Sequence, residues 1–251
     1  MSSAHLLVLR HFWVLRRRRP WTLIVNGIFE PFLYLTSIGF GIGQLITTGP
    51  QGSAYAAFVA PALLATSAMN SAVNETTGSI WFRLRFERVY EAILTTPVNV
   101  TDIAVGEVVS AMLRSAVASS CFFGVIAALG LVHSWWSLLA IPATLLIAFG
   151  FAGAGLAVTT YLRDFTHHQY VQLFMLPMFL FATTFYPLSV YPGPIQVVVA
   201  CLPLYQSTEL LRGLMLGEPG PSMAIASAYL LIMGLVGLRV ADRRLGLLLL
   251  H

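Results

Sequence analysis

Four ionisable side chains interrupt otherwise apolar stretches of this 251-residue chain: Glu30, Glu75, Glu107 and Arg114. A charge held at bilayer depth costs roughly 2.5–3.5 kcal/mol on insertion scales, so such a residue normally faces a helix-bundle interior or a cavity and finds a partner. Glu107, Ser110 and Arg114 are spaced i, i+3, i+7, which puts them on one face of a helix. Glu30 follows the run Arg16–Arg19 and Glu75 precedes Arg83, so both belong to the arginine-rich half of the membrane, beside Asn26, Asn70 and Asn74. Arg114 is expected to pair with one of the three glutamates. A structural ion pair joining the first three apolar segments, a contact with transported material and a proton relay all fit this spacing.

Other chemistry has no residues to carry it. The chain contains fourteen arginines and no lysine. A phosphate-cradling loop ends in Gly-Lys-Ser/Thr, so this polypeptide cannot hold ATP in that manner. There is no Gly-x-Ser-x-Gly, no His-Glu-x-x-His and no acidic cluster for a magnesium-bound diphosphate. Cys121 and Cys201 lie in separate apolar segments and imply no disulfide framework. No catalytic, metal or cofactor site is expected in the chain itself, and no nucleic-acid partner.

The elements that must position the charges follow from composition. With 57% hydrophobic residues, 10% charged residues and mean hydropathy +0.80, the chain reads as an all-α membrane protein. Crossing a hydrocarbon core of about 30 Å takes roughly 20 apolar residues as helix. Six such runs lie at about 21–46, 54–80, 103–132, 136–161, 169–189 and 222–238, within one transmembrane domain spanning 1–251. Between Ser115 and Leu162, and again between Phe165 and Thr208, no Asp, Glu, Lys or Arg occurs, which no amphipathic soluble helix allows. Twelve arginines fall at the ends or loops of one side; only Arg114 and Arg212 escape. Arginine-rich short loops stay cytoplasmic, so both termini are expected inside a cell inner or plasma membrane. The stretch 3–19, with Phe12 and Trp13, suits either a helix lying at the inner interface or a basic orientation tag.

Trp81 to Pro97 reads as a short cytoplasmic helix over about 82–95. Phe82, Phe86, Tyr90 and Ile93 fall near one stripe, while Arg83, Glu87 and Glu91 form another at four-residue spacing. Arg85 and Arg88 add charge. Aromatics and both charge signs packed together fit a docking element for a cytoplasmic partner; a juxtamembrane loop resting on lipid is the plainer alternative. Thr101 and Asp102 suit the start of the third span. Near the other side, Pro187, Pro192, Pro194 and Pro203 forbid one long helix between about 186 and 221, although Ile195 to Leu202 is as apolar as the spans. A re-entrant helical hairpin buried against protein satisfies both facts; a loop lying on the outer leaflet is the plainer alternative.

The chain resembles permeases of the type 2 ABC exporter family, in particular the daunorubicin-resistance and nodulation-factor lipo-oligosaccharide exporters. The resemblance rests on the basic N-terminal stretch, Glu30-Pro31-Phe32-Leu33-Tyr34-Leu35 with Gly39-Phe40-Gly41-Ile42-Gly43, and Glu91-Ala92-Ile93-Leu94-Thr95-Thr96-Pro97 with Gly106-Glu107. Phe185-Tyr186-Pro187-Leu188 and Leu202 to Gly213 complete it over nearly the whole length. The resemblance implies that Phe82, Arg83, Arg85, Phe86, Glu87, Arg88, Tyr90 and Glu91 form the coupling helix that docks on a nucleotide-binding subunit. It likewise implies that the N-terminal stretch is an interfacial helix, and that Phe185, Tyr186, Pro187, Pro203, Glu209 and Arg212 belong to an outer gate on the re-entrant hairpin. Ala182-Thr183-Thr184 stands where the family often has Gly before the aromatic-Pro pair, a departure at that gate.

The expected function is therefore the permease subunit of an ATP-driven exporter moving an amphipathic or lipid-like substrate outward. ATP and magnesium would sit on two separate cytoplasmic ATPase subunits, and a second permease copy or paralogue would complete the channel among membrane lipids. A stand-alone secondary transporter or channel, or an intramembrane enzyme, is the competing class; matching broken helices in the two halves, or a convergent reactive set, would mark them. Gly39, Gly41 and Gly43, and Gly150, Gly153 and Gly155, are expected to permit close helix approach, the first set at a subunit contact.

Overall fold

Backbone polar groups in lipid must be satisfied within the protein, and this sequence meets the requirement with helices. The computed structural model describes residues 29, 32–37, 41, 55–87, 89–93, 95, 98–132, 134–162, 164, 166–218 and 220–249. No strand occurs among them. Residues 32–37 are helical, and eight longer or later elements follow. Helix α1 spans Tyr55–Arg85, α2 Val89–Ile93, α3 Val100–Ala128, α4 Ala140–Thr159, α5 Thr166–Phe181, α6 Gly193–Ala200, α7 Pro203–Leu216 and α8 Pro221–Leu249. Four are long and apolar enough to cross a membrane among the described residues: α1, α3, α4 with the 3-10 turn Trp135–Leu139 before it, and α8.

Helix α1 is the central element. Its inner positions are small, with Ala57, Ala60, Ala62, Ala65, Ala68 and Ala72 buried, so α3, α4 and α7 can approach its backbone closely. Helix α8 packs chiefly on α4 and leaves Ile225, Ile232, Leu235 and Val236 exposed, as a lipid-facing helix does. Two ends of the bundle can be told apart. The Trp81 indole donates to the Leu162 carbonyl at 3.2 Å and the Arg244 guanidinium lies 4.2 Å from the Tyr161 ring centroid, which gathers the C-terminal ends of α1, α4 and α8 at one end. The Tyr55 hydroxyl donates to the Phe185 carbonyl at 3.1 Å and the Ser137 hydroxyl to the Met215 carbonyl at 3.4 Å, which gathers α7 and the 182–192 loop at the other.

Several boundaries differ from the sequence reading. The second apolar run is extended to Arg85, so the single helix expected over about 82–95 is instead the last turns of α1, a turn at Phe86 and Glu87, and the short α2. The third span begins at Val100, with the Asn99 amide reaching Asp102 Oδ2 at 3.4 Å, so the cap is Asn99 rather than Thr101. The fifth run stops as helix at Phe181, and the last, expected over 222–238, continues to Leu249. The apolar C-terminal tail is thus the end of α8, with Leu245 buried. The first span and the N-terminal stretch lie mostly outside the described residues.

A short turn at Cys201 and Leu202 joins α6 to α7. The Cys201 carbonyl accepts a hydrogen bond from the Tyr229 hydroxyl at 2.8 Å, eight residues and so about 12 Å along α8 from Pro221. The far end of α7 lies beside the start of α8, where Gly213 faces Met223. Gly217 closes α7 at φ +78°, with the Glu218 amide donating to the Gly213 carbonyl at 3.0 Å.

Candidate functional site

In the C-terminal third of α1 the helix widens into a π-type segment, Glu75–Ser79, closed by the Ile80 amide donating to the Glu75 carbonyl. Such widened turns expose carbonyls and recur at functional sites. Here the Thr159 hydroxyl of α4 donates to the Thr76 carbonyl at 2.7 Å, and a Cβ on Gly155 would collide with Thr76 Oγ1. The buried Glu75 carboxylate, at the start of this segment, lies between two arginines. Arg114 Nη1 lies 2.8 Å from Glu75 Oε2, and Arg83 Nη2 lies 2.7 Å from Glu75 Oε1.

Arg83 then reaches α3. Its Nη1 sits 3.0 Å from Glu107 Oε1 and 2.9 Å from Oε2, and the Tyr90 hydroxyl of α2 donates to Glu107 Oε1 at 2.8 Å. The side chains run Arg114, Glu75, Arg83, Glu107, Tyr90 in alternating sign, with Glu75 and Glu107 nearly solvent-free. Two cations and two anions cancel, the condition under which buried charge is tolerated. The chain of contacts runs from Arg114, about 21 Å along α3 from Val100, to a short helix beyond the end of α1. Burial, reinforced by Glu107, pushes the Tyr90 phenol well above its ordinary pKa, so it remains a protonated donor. Tyr90→Phe should cost about 1–3 kcal/mol by stranding part of the Glu107 carboxylate; thermal unfolding in detergent would read it, and an unchanged midpoint would count against the linkage.

Of the residues assigned to docking, Arg83 therefore sits in the ion network. Phe82 and Phe86 are exposed, and their rings pack with buried Trp81, at 5.4 Å for Trp81 with Phe82 and 5.8 Å for Phe82 with Phe86. Arg85 and Glu87 are exposed beside them. Glu91 lies in α2, while Arg88 and Glu30 fall outside the described residues. Ser110, on the Glu107–Arg114 face, is buried with no hydrogen-bond partner at Oγ.

The gate set gathers at the opposite end. Arg212 is buried in α7, with Nη1 3.0 Å from Glu209 Oε1, Nη2 donating to the Thr183 carbonyl at 2.9 Å, and Cζ 3.9 Å from the Phe58 ring centroid. Phe185 stands edge-on to Phe179 at 5.4 Å, and the Tyr191 hydroxyl meets that of Tyr186 at 3.0 Å. Pro187 precedes the 3-10 turn Leu188–Val190, and Pro203 opens α7, where its missing amide costs nothing. Tyr55 escaped the sequence reading because it carries no charge, and Thr183 entered it only as part of Ala182-Thr183-Thr184, with no contact assigned.

A cavity of about 140 Å³ lies between residue Tyr34, α1 and α5, with Thr66, Asn70 and Gln172 among its walls and Tyr34, Leu63 and Phe179 opposite them in character. Thr66, Asn70 and Asn74 recur every fourth residue of α1, and the Gln172 amide donates to Asn74 Oδ1. The sequence reading noted Asn70 and Asn74 but missed Thr66 and Gln172; the four-residue spacing of Thr66, Asn70 and Asn74 is the signal that would have marked a polar stripe. Among the described residues no group of His, Cys, Asp or Glu could hold a metal ion.

The family profile described as ABC-2 type transporter matches residues 4–216. Nodulation protein J of Rhizobium leguminosarum bv. viciae is 30% identical over 96% of this chain and 94% of its own length. Nodulation protein J of Sinorhizobium fredii is 34% identical over 83% of this chain and 80% of its own length, and that of Rhizobium meliloti 33% over 78% and 75%. The chain belongs to the ABC-2 type transporter family.

Proposed function

We propose that this chain is the permease subunit of an ATP-driven exporter, one half of a paired transmembrane channel worked by two separate nucleotide-binding subunits. The observation that carries the reading is the elbow between α1 and α2, where exposed Phe82, Arg85, Phe86 and Glu87 adjoin a buried ion network reaching mid-bundle Arg114. A partner pressing on that elbow moves Arg83 and Tyr90, and through them Glu107 and Glu75. The chain brings no lysine and so no phosphate loop of its own, which leaves ATP and magnesium to the partner. Family membership supports the same division of labour.

In this reading the arginine-rich end is cytoplasmic, as are both termini, in an inner or plasma membrane. The first apolar run and α5 complete six spans, and α6 with α7 is a re-entrant hairpin on the outer side that forms the gate. The substrate is an amphipathic molecule moved outward. Neutral hydrogen-bonding walls at Thr66, Asn70 and Gln172 beside Tyr34 and Phe179 suit a hydroxyl-rich head with an apolar tail better than an ion. The resemblance to lipo-oligosaccharide exporter permeases favours a lipid-linked saccharide.

The decisive experiment is mild-detergent purification of the tagged permease from its native host. Recovery of an ATPase subunit with ATP hydrolysis in the complex is expected, and Phe82→Ala with Phe86→Ala should release that subunit while the permease stays monodisperse. Export by the permease with no ATPase bound would overturn the proposal.

A further inference from the structure

The end of α5 is held in an unusual way. Thr183 adopts φ +58°, and among the described residues no other non-glycine has a positive φ. A β-branched side chain in this left-handed region crowds its own backbone, so the conformation persists only where surroundings impose it. What imposes it is visible. Arg212 Nη2 donates to the Thr183 carbonyl at 2.9 Å, and the Arg212 guanidinium is pinned between Glu209 and the Phe58 ring.

The clamp is incompletely satisfied. Arg212 Nε, Thr183 Oγ1 and Thr208 Oγ1 are all buried without a hydrogen-bond partner, and Thr208 lies one helical turn before Arg212. Buried polar atoms without partners are costly, and these three are free to take other partners if the segment moves. Glu209, about one-third exposed, is the member of the cluster open to its surroundings.

We infer that Arg212 is a positioning residue that clamps the α5–α6 connection in a strained, closed arrangement, so that losing the Arg212 contact to Thr183 releases the segment from Thr183 to Tyr186. The inference uses the proposed gate position of this segment. Its test uses accessibility rather than export, so the two readings can fail separately.

The reporter is Thr184→Cys, at a buried position in the clamped loop, in a chain carrying Cys121→Ser and Cys201→Ser. A membrane-impermeant maleimide is applied to intact cells, and in a second arm to inside-out vesicles. With Arg212 present, labelling is slow. Arg212→Met should raise the rate at least about tenfold, and adding Thr183→Gly, which removes the crowding, should restore most of the protection. Ala148→Cys, fully buried in α4, serves as the control for global unfolding. An unchanged rate in Arg212→Met, a parallel rise at Ala148→Cys, or no rescue by Thr183→Gly overturns the clamp. Clamp-dependent labelling from the vesicle side alone upholds the clamp and overturns the outer placement.

Discussion

Gly153→Leu should yield a chain that inserts but does not assemble a stable bundle. A Cβ at Gly153 would strike the carbonyl oxygen of Gly234, with Gly234 Cα at 3.0 Å and C at 3.1 Å. A Cβ at Gly237 would strike the backbone of Gly153 and Ala154, so α4 and α8 touch main chain to main chain. Overpacking normally costs 1–3 kcal/mol because side chains yield. Backbone cannot yield in that way, so the loss here should exceed about 3 kcal/mol by the same comparison. Size-exclusion profiles and melting in detergent would show it as a vanished monodisperse peak. Gly124→Ala, with open space around its Cβ, is the matched control and should be silent. A normal peak from Gly153→Leu would mean that α4 and α8 do not meet as described.

That interface was half legible. The spacing of Gly150 and Gly153 announced close approach, but sequence names no partner; in the last helix Gly153 meets Gly234 and Gly237, and Gly150 meets Leu230 and Met233. Gly155 points elsewhere, at Thr76. The expectation of a contact between subunits at Gly39, Gly41 and Gly43 concerns residues of which only Gly41 is described.

The ion network was legible in three of its five members. Glu75, Glu107 and Arg114 stand out because charge is rare and costly in an apolar run. Arg83 was assigned to a charged docking stripe, since Arg83, Glu87 and Glu91 recur at four residues. That inference assumed one continuous helix, and the turn at Phe86 and Glu87 removes it. Hydropathy also ended the second span too early, because Trp81, Leu84 and an arginine neutralised by two glutamates continue a buried helix that an average over side chains scores as polar. Tyr90 was assigned with Phe82 and Phe86 to the aromatic stripe of the docking helix; only packing shows its hydroxyl on Glu107. Ala182-Thr183-Thr184 carried a weaker signal, standing where resembling permeases often have a glycine before the aromatic-Pro pair, and the positive φ at Thr183 is one that a glycine adopts without crowding.

Arg83→Met is the most informative single change in the network. It removes the cation that touches both carboxylates, leaving Glu107 with Tyr90 and Glu75 with Arg114. Removing one partner of a buried pair typically costs 3–5 kcal/mol, because the residual charge stays desolvated, and a loss of about that size is expected here. Arg83→Met combined with Glu107→Gln leaves one cation, Arg114, facing one anion, Glu75, and should recover most of the stability, since replacing a buried pair by neutral groups is often harmless. Export should not recover with it. If the network carries movement from the elbow to Arg114, the neutral double variant keeps the packing and loses the stiff charged link, so ATP hydrolysis continues without transport. Restored export in a stable double variant would reduce the network to a fastening between α1 and α3. Failure of the second substitution to restore stability would show instead that Arg83 matters through its packed stem rather than through its charge.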